Sequence, residues 1–486
     1  MESDKVINIT IFHTNDMHGR LEEISRLSHF ARCLRKIAQV EGRKVFFWDA
    51  GDAADRRVQI CSITKGAAFS QILNAMGYDL QTMGNAIALP YGPAAMKAVA
   101  ERANFPILAA NCRDGDGPLV DGLQEYTIIP ISKKLNVGVL GLTAPWGGIY
   151  EVFDLHFPDF IELAIEKIKE LHYKGADLII VLSHLGLEDD RHLAETVPGI
   201  DLIIGGHSHN QLPSGEIHNG VMITQAGDYA CFLGKVDVSV DADTSQVLSL
   251  TAQLLEVPED EEPDQVVIDA IAEAEAETEE IMSRTIGTLN SALGLDHYSE
   301  CDIGNLVADA LKTRMGAEAA LVASGQFHTS LPAGKISLGQ LHKACFSSAN
   351  PALTRVKGKQ ILDALERGLD PNFNRLEPPS YRGTPVGIPQ ISGMQVWYDI
   401  NAEVGKRIQI LSINGEPLDL DKWYHLAHTD AEESRVSGYL KLEDGQEPKY
   451  EVPTILPEVI EDYLKDNSPL PKPQWNRWIE RKVRDS

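Results

Sequence analysis

Asp16 and His18 in TNDMHG, Asp49 in FFWDAGD, Asn85 in QTMGN, His184 in VLSHLG, and His207 and His209 in IIGGHSH are oxygen and nitrogen donors of the kind that bind divalent cations. Asp16 and His18, like His207 and His209, stand at i and i+2, so both members of a pair reach the same side of an extended strand end. Asp49 closes an aromatic and β-branched run, where a carboxylate can bridge two cations. The glycines before His207 let the backbone approach a ligand closely. Imidazole, carboxylate and amide without thiolate suit Mn, Zn, Fe or Co better than Ca. Together these donors predict a centre for two divalent metal ions.

The elements that must carry them are legible as alternating strands and helices. INITIFH, KVFFWDAGD, PILAANC, VGVLGLT and DLIIVLSH read as strands, and ISRLSHFARCLRKIAQV and AAFSQILNAMG as helices, which predicts a layered α/β sheet. Five strand-like runs end in a polar candidate: Asp16, Asp49, Asn111, His184 and His207. Residues at the carboxyl ends of parallel strands converge on one crevice. Residues 1–254 form this first domain. Residues 255–285 form an acidic linker helix that starts near Pro263 and Asp264, with Val267, Ile271, Ala274, Thr278 and Ile281 on one apolar face. From 286 to 486, frequent Gly and Pro, short strands and intervening helical patterns predict an α+β domain. Its tail, NSPLPKPQWNRWIERKVRDS, is expected to run along the surface into a short terminal helix.

Composition narrows the partners. The net charge of −27 in 486 residues argues against nucleic acid and against an anionic membrane, so a phosphate-bearing substrate needs a local cation. The start MESDKVINITIFHTND has neither a basic nor a long apolar region, and no apolar stretch is long enough to span a bilayer. Six scattered cysteines without a CxxC pair read as reduced thiols, and a cytoplasmic setting is expected. Arg56 and Arg57, just after DAGD, are candidate phosphate-binding cations. Trp146 and Tyr91 are candidates for lining the pocket, with core packing the favoured assignment.

The motif order resembles the calcineurin-like metallophosphoesterases. The longer stretches TNDMHGRLE, LNAMGYDLQTMGN, SHLGLEDDRHLAETVPGIDLIIGGHSH and TQAGDYACFLGKV resemble the 5'-nucleotidase family, and IGTLNSALGLDHYSECDIGNLVADAL and ISGMQVWYDI resemble that family's C-terminal domain. The resemblance implies a four-layer α/β/β/α metallophosphoesterase domain and a second, α+β substrate-binding domain. It implies one metal on Asp16, His18, Asp49 and His209, and another on Asp49, Asn85, His184 and His207. It also implies in-line attack of a metal-activated water on phosphorus, and a place for Asn111 close to the bound phosphate.

Departures from the family pattern bear on the substrate. Where the family reads GNHE, this chain has Gly84, Asn85, Ala86 and Ile87, so the His that assists the leaving oxygen is a methyl group; Leu89 or Pro90 replaces its partner Asp. The Arg that clamps substrate in the family aligns with His328, and the two base-stacking aromatics align with the segments around Phe346 and Tyr439. The reading is a dinuclear-metal-dependent hydrolase of phosphate esters or anhydrides, acting on a small, nucleotide-like phosphorylated substrate with altered preference. The alternative is a metal-loaded, non-catalytic nucleotide or phosphosugar binding or sensing protein.

Overall fold

The computed structural model describes residues 6–115, 117–441, 446 and 448–481, and the chain divides into two compact units, Met1–Glu279 and Glu280–Ser486.

Two sheets make the first unit. One has seven strands, in the order Val247–Glu256, Phe232–Asp241, Val6–Thr14, Lys44–Asp49, Leu80–Thr82, Ile107–Leu108 and Leu123–Gln124. The other has six, in the order Glu216–His218, Val221–Thr224, Leu202–Ile204, Leu178–His184, Asn136–Thr143 and Tyr126–Pro130. The central pairings are parallel and the edge pairings include antiparallel ones. Strand alternation explains how the layers stack. In Leu178–His184, Ile180 and Leu182 enter an inner core with Ile9, Ile11 and Trp48 from the other sheet, while Ile179 and Val181 enter an outer core with Ile168, Leu171 and Leu193 from helices. A strand covered on both faces must be apolar at every position, as this one is up to Ser183. Helices Leu21–Val40 and Asn85–Arg102 cover the first sheet's outer face through Ile24, Leu27 and Met96. The unit is therefore the four-layer α/β/β/α arrangement the resemblance implied.

In the second unit a five-stranded sheet, ordered Pro389–Ser392, Ala319–Ala323, Trp423–Thr429, Pro351–Lys357 and Lys449–Tyr450, is packed by helices Asp302–Met315 and Leu456–Asn467 on one face and Gly358–Gly368 on the other. The C-terminal tail departs from expectation. Trp478–Glu480 adds a parallel strand to Met394–Tyr398, and Trp478 is buried with its indole N–H bonded to the Pro389 carbonyl, so this part of the tail is structural β rather than surface helix. Residues 482–486 lie outside the described residues.

The acidic helix spans Gln265–Ser283, and the unit division falls within it, after Glu279. Its apolar face is used: Val267 and Ala274 are fully buried in the first unit's core, and Asp264 fixes its start by accepting from Ser28 and pairing with Arg32 at 2.6 Å. All six cysteines are free, and among the described residues no helix is long and apolar enough to cross a membrane. A packed helix should respond to charge by face. Ala274→Asp should destabilise the first unit by about 3 kcal/mol, whereas Glu275→Ala, on the exposed face, should stay within about 0.5 kcal/mol in chemical denaturation.

Candidate metal centre

Parallel strands deliver the donors to one edge. Val6–Thr14, Lys44–Asp49, Leu80–Thr82, Leu178–His184 and Leu202–Ile204 end at or just before Asp16, Asp52, Asn85, His184 and His207. The loops then turn sharply. Asp16, His18, Asp52, His207 and His209 all adopt positive φ, between 49° and 72°. L-residues pay roughly 1–2 kcal/mol for that left-handed conformation, and clusters of it mark sites where backbone strain serves side-chain aim. Two glycines permit the crowding: a Cβ on Gly84 would lie 2.0 Å from Asp52 Oδ1, and one on Gly51 would lie 2.5 Å from His184 Nδ1.

The convergent atoms are mostly acceptors. His184, fully buried, points Nδ1 at the Ala50 carbonyl at 2.7 Å; with its proton there, Nε2 presents a lone pair. That lone pair faces Asn85 Oδ1 at 3.2 Å and Asp52 Oδ2 at 3.3 Å. In that tautomer three acceptors meet, and a proton or a cation between them reconciles them. Burial pulls the His184 pKa down, but the Asp52 carboxylate outweighs it and raises the value to about 9. Asp52 Oδ1 is held by the backbone N–H of Ala86 at 2.8 Å. In the neighbouring group, His18 Nε2 and His209 Nε2 are 3.1 Å apart and lie 3.7 and 3.4 Å from Asp16 Oδ1. Asp16 Oδ2 accepts from the Asn15 amide and the His207 backbone N–H, both at 2.8 Å, whereas the buried Oδ1 has no hydrogen-bond partner. An orphaned, buried carboxylate oxygen between two imidazoles fits a divalent cation in donor chemistry and charge. Asp16, His18 and His209 form one cation-compatible group, and Asp16, Asp52 and His184 a second. Asn85 joins the second through His184, and the His207 ring lies 5.2 Å from that of His184.

Asp52, not Asp49, is the carboxylate of DAGD that faces the cluster, and Asp16 is the one shared by the two groups. Asp49 accepts from Thr14 Oγ1 at 2.7 Å, Gln81 Nε2 at 2.8 Å and Gly51 N at 3.1 Å, so its oxygens are spent inside the sheet; burial raises its pKa to about 7. DAGD contains two carboxylates, and only the left-handed turn after Gly51 decides which one faces the cluster. Asn111 is also corrected. It is fully buried, its amide N–H donates to the Thr143 carbonyl and its oxygen accepts from Thr143 N–H, so it ties two sheets together instead of facing a phosphate. Arg56 is exposed; Arg57 contributes its backbone N–H to Asp55 while its side chain is 79% exposed. Trp146 is 40% exposed and meets the His207 ring edge-on at 5.8 Å, so of its two sequence assignments pocket lining holds and core packing does not. One cation was missed: the Arg20 guanidinium lies 4.5 Å over the ring of Tyr229, which faces His18 and His209.

In the second unit, His328 lines a cavity of about 360 Å³ with Phe346, Ser347, Tyr381 and Arg382. Burial and the nearby Arg382 charge both lower the His328 pKa. Arg382 stacks on Phe346 at 3.9 Å from the ring centre. Tyr439 is 2% exposed, packs against Phe373 and donates to the Val386 and Gly387 carbonyls.

Residues 9–211 match the calcineurin-like phosphoesterase family, and residues 283–439 match the 5'-nucleotidase C-terminal domain. The chain belongs to the 5'-nucleotidase family. Its two matched domains are those of phosphoester hydrolases, and the first implies divalent metal ions. Similar curated proteins include the uncharacterized metallophosphoesterase YunD of Bacillus subtilis, 28% identical over 94% of this chain and 98% of its own length, and the snake venom 5'-nucleotidase of Naja atra, 25% identical over 94% and 96%. Among solved structures, the 5'-nucleotidase precursor of Thermus thermophilus aligns with TM-score 0.51 at 24% identity, and the NAD nucleotidase of Haemophilus influenzae with TM-score 0.56 at 17%; each covers 98% of this chain and 100% of that one. These likenesses show the shared fold.

Metal content separates the two aspartates. Asp52→Asn should lower bound Mn or Zn from two ions per chain toward one or none. Asp49→Asn should keep both, measured by elemental analysis after dialysis against metal.

Proposed function

We infer that this chain is a dinuclear-metal-dependent hydrolase of phosphate esters or anhydrides whose preference has moved away from ordinary nucleoside monophosphates. The observation that carries the reading is the orphaned Asp16 Oδ1 beside an acceptor-only cluster at His184. Asp16, His18, Asp52 and His209 would hold one ion, and Asp52, Asn85, His184 and His207 the other. Two such ions supply Lewis-acid stabilisation of phosphoryl oxygens and activation of a water. The chain's own residues set the rest. Ala50 and Ala86 orient His184 and Asp52 through backbone groups. Arg20, braced on Tyr229, supplies local positive charge for a phosphate in a strongly acidic protein.

The altered preference rests on three positions. Ala86, half-buried, offers a methyl group and no proton. A positioned acid contributes typically about 10²–10⁴-fold, and the loss falls hardest on poor leaving groups. The family resemblance assigns base stacking to aromatics near Phe346 and Tyr439; here one face of Phe346 carries Arg382 and Tyr439 is locked in the core. A cavity with an arginine and a histidine suits an anionic or sugar-like group better than a second aromatic sandwich.

The Mn- or Zn-loaded protein should turn over an activated aryl phosphate or a phosphoanhydride while leaving alkyl monoesters nearly untouched. Ala86→His should then raise the rate on those monoesters by about 10- to 10³-fold. If the doubly metallated protein is thermally stabilised by nucleotides or phosphosugars yet releases no product from any of them, the non-catalytic binding reading replaces this one.

A further inference from the structure

The two halves of the centre are backed differently. His18 and His209 direct Nε2 toward Asp16 Oδ1, and behind each ring stands a carboxylate: Asp55 Oδ2 is 3.4 Å from His18 Nδ1, and Asp228 Oδ2 is 3.2 Å from His209 Nδ1. Both are largely covered, with side chains 12% and 26% exposed. Both are also anchored. Asp55 Oδ1 accepts from Arg57 N at 2.8 Å, and the loop carrying Asp228 is stitched to the centre by Tyr229 N–H donating to the Asp16 carbonyl at 2.9 Å. On the other side, His184 Nδ1 faces only the neutral Ala50 carbonyl, and the His207 ring meets the edges of Trp146 and His184.

We propose that Asp55 and Asp228 are positioning residues that make the Asp16, His18 and His209 position the tighter of the two cation positions and the first to fill. The proposal rests on the dinuclear reading above. Each carboxylate acts on its ring through charge, at 3.4 Å from His18 Nδ1 and 3.2 Å from His209 Nδ1, and that charge favours a proton on Nδ1, leaves the Nε2 lone pair facing the pocket and makes the imidazole a stronger donor. It also places negative charge close to the bound dication, which a backbone carbonyl does not. Two such carboxylates serve one position and none serves the other, so the asymmetry is built into the loops after DAGD and in QAGDY. Neither loop carries a metal-ligand motif of its own.

The test is a titration of the apoprotein with Mn²⁺ by calorimetry and with Co²⁺ by visible absorption, which reports binding without turnover. The parent should bind in two resolved steps. Asp55→Asn and Asp228→Asn should each weaken the first step by about 10- to 100-fold and leave the second nearly unchanged, with the Co²⁺ spectrum altered in the first equivalent. Asn85→Ala should instead remove the second step and spare the first. Apoprotein melting curves identify a variant that fails to fold, in which case the other carboxylate carries the test. Two indistinguishable steps in the parent, or variants that weaken both steps equally, only the second or neither, would overturn the proposal while leaving the dinuclear reading intact. A parent that binds no cation overturns both.

Discussion

Asp16, Asp52, Asn85 and His184 bring acceptor atoms together in a buried place with too few donors, and the surrounding structure is organised around that deficit. Each carboxylate has one oxygen satisfied by a donor, Asp16 by Asn15 and the His207 backbone, Asp52 by the Ala86 backbone, and turns its other oxygen inward. Buried charge of this kind is costly unless neutralised. Against the opposing effect of burial, the neighbouring Asp52 and Asp16 carboxylates raise the His184 pKa, the direction in which positive charge at this imidazole offsets theirs. The same residues sit on left-handed backbone that ordinary packing would not select. Strain and buried charge together mean that the loops are held in shape by the four-layer sandwich beneath them, and that cation binding and local folding free energy are coupled.

That sandwich was readable because its signal is periodic. Leu178–His184 is apolar on both faces up to Ser183, and of the five strand ends marked in the sequence, those at Asp16, His184 and His207 lead into the cluster. What could not be read was the choice between chemically identical groups a few residues apart. Asp49 and Asp52 differ in what their carboxylates face because one still belongs to the strand ladder, opposite Thr14, and the other follows a positive-φ glycine. The same limit explains Asn111: a strand-end amide aimed at a site and one bonded to a neighbouring strand look alike in sequence, and the deciding partner, Thr143, is thirty-two residues away. Asp228 and Arg20 were missed for the complementary reason. Their roles arise only when distant loops meet, Asp228 against His209 and Arg20 over Tyr229.

The tail and the acidic helix teach a further point about composition. A proline-rich, charged C-terminus suggested surface chain, yet Trp478 fills a core position and its strand pairs with Met394–Tyr398. The acidic helix at Gln265–Ser283 buries the apolar stripe expected from the spacing of Val267, Ala274 and Thr278, and Val267 and Ala274 are part of the first unit's core. In both segments a few large or well-spaced apolar residues outweighed a polar majority, because burial energy depends on the area removed from water and not on the average character of a segment.

Under the proposed function, Ala86 leaves the centre without a neighbouring acid. Without a proton donor, a dinuclear centre still lowers the barrier to attack on phosphorus, and what it handles worst is a leaving group that must depart as a strong base. Selection on such a centre would act through substrates whose leaving groups are already weak bases, and these include anhydrides, where the departing atom is a phosphate oxygen. A second phosphate needs a cation more than an aromatic slot. Arg382 lies across Phe346, His328 lines the same cavity and Tyr439 is bonded in the core, so this cavity offers cationic and polar groups. Under the proposed function, the methyl group at Ala86 favours a good leaving group, and Arg382 with His328 favours additional negative charge.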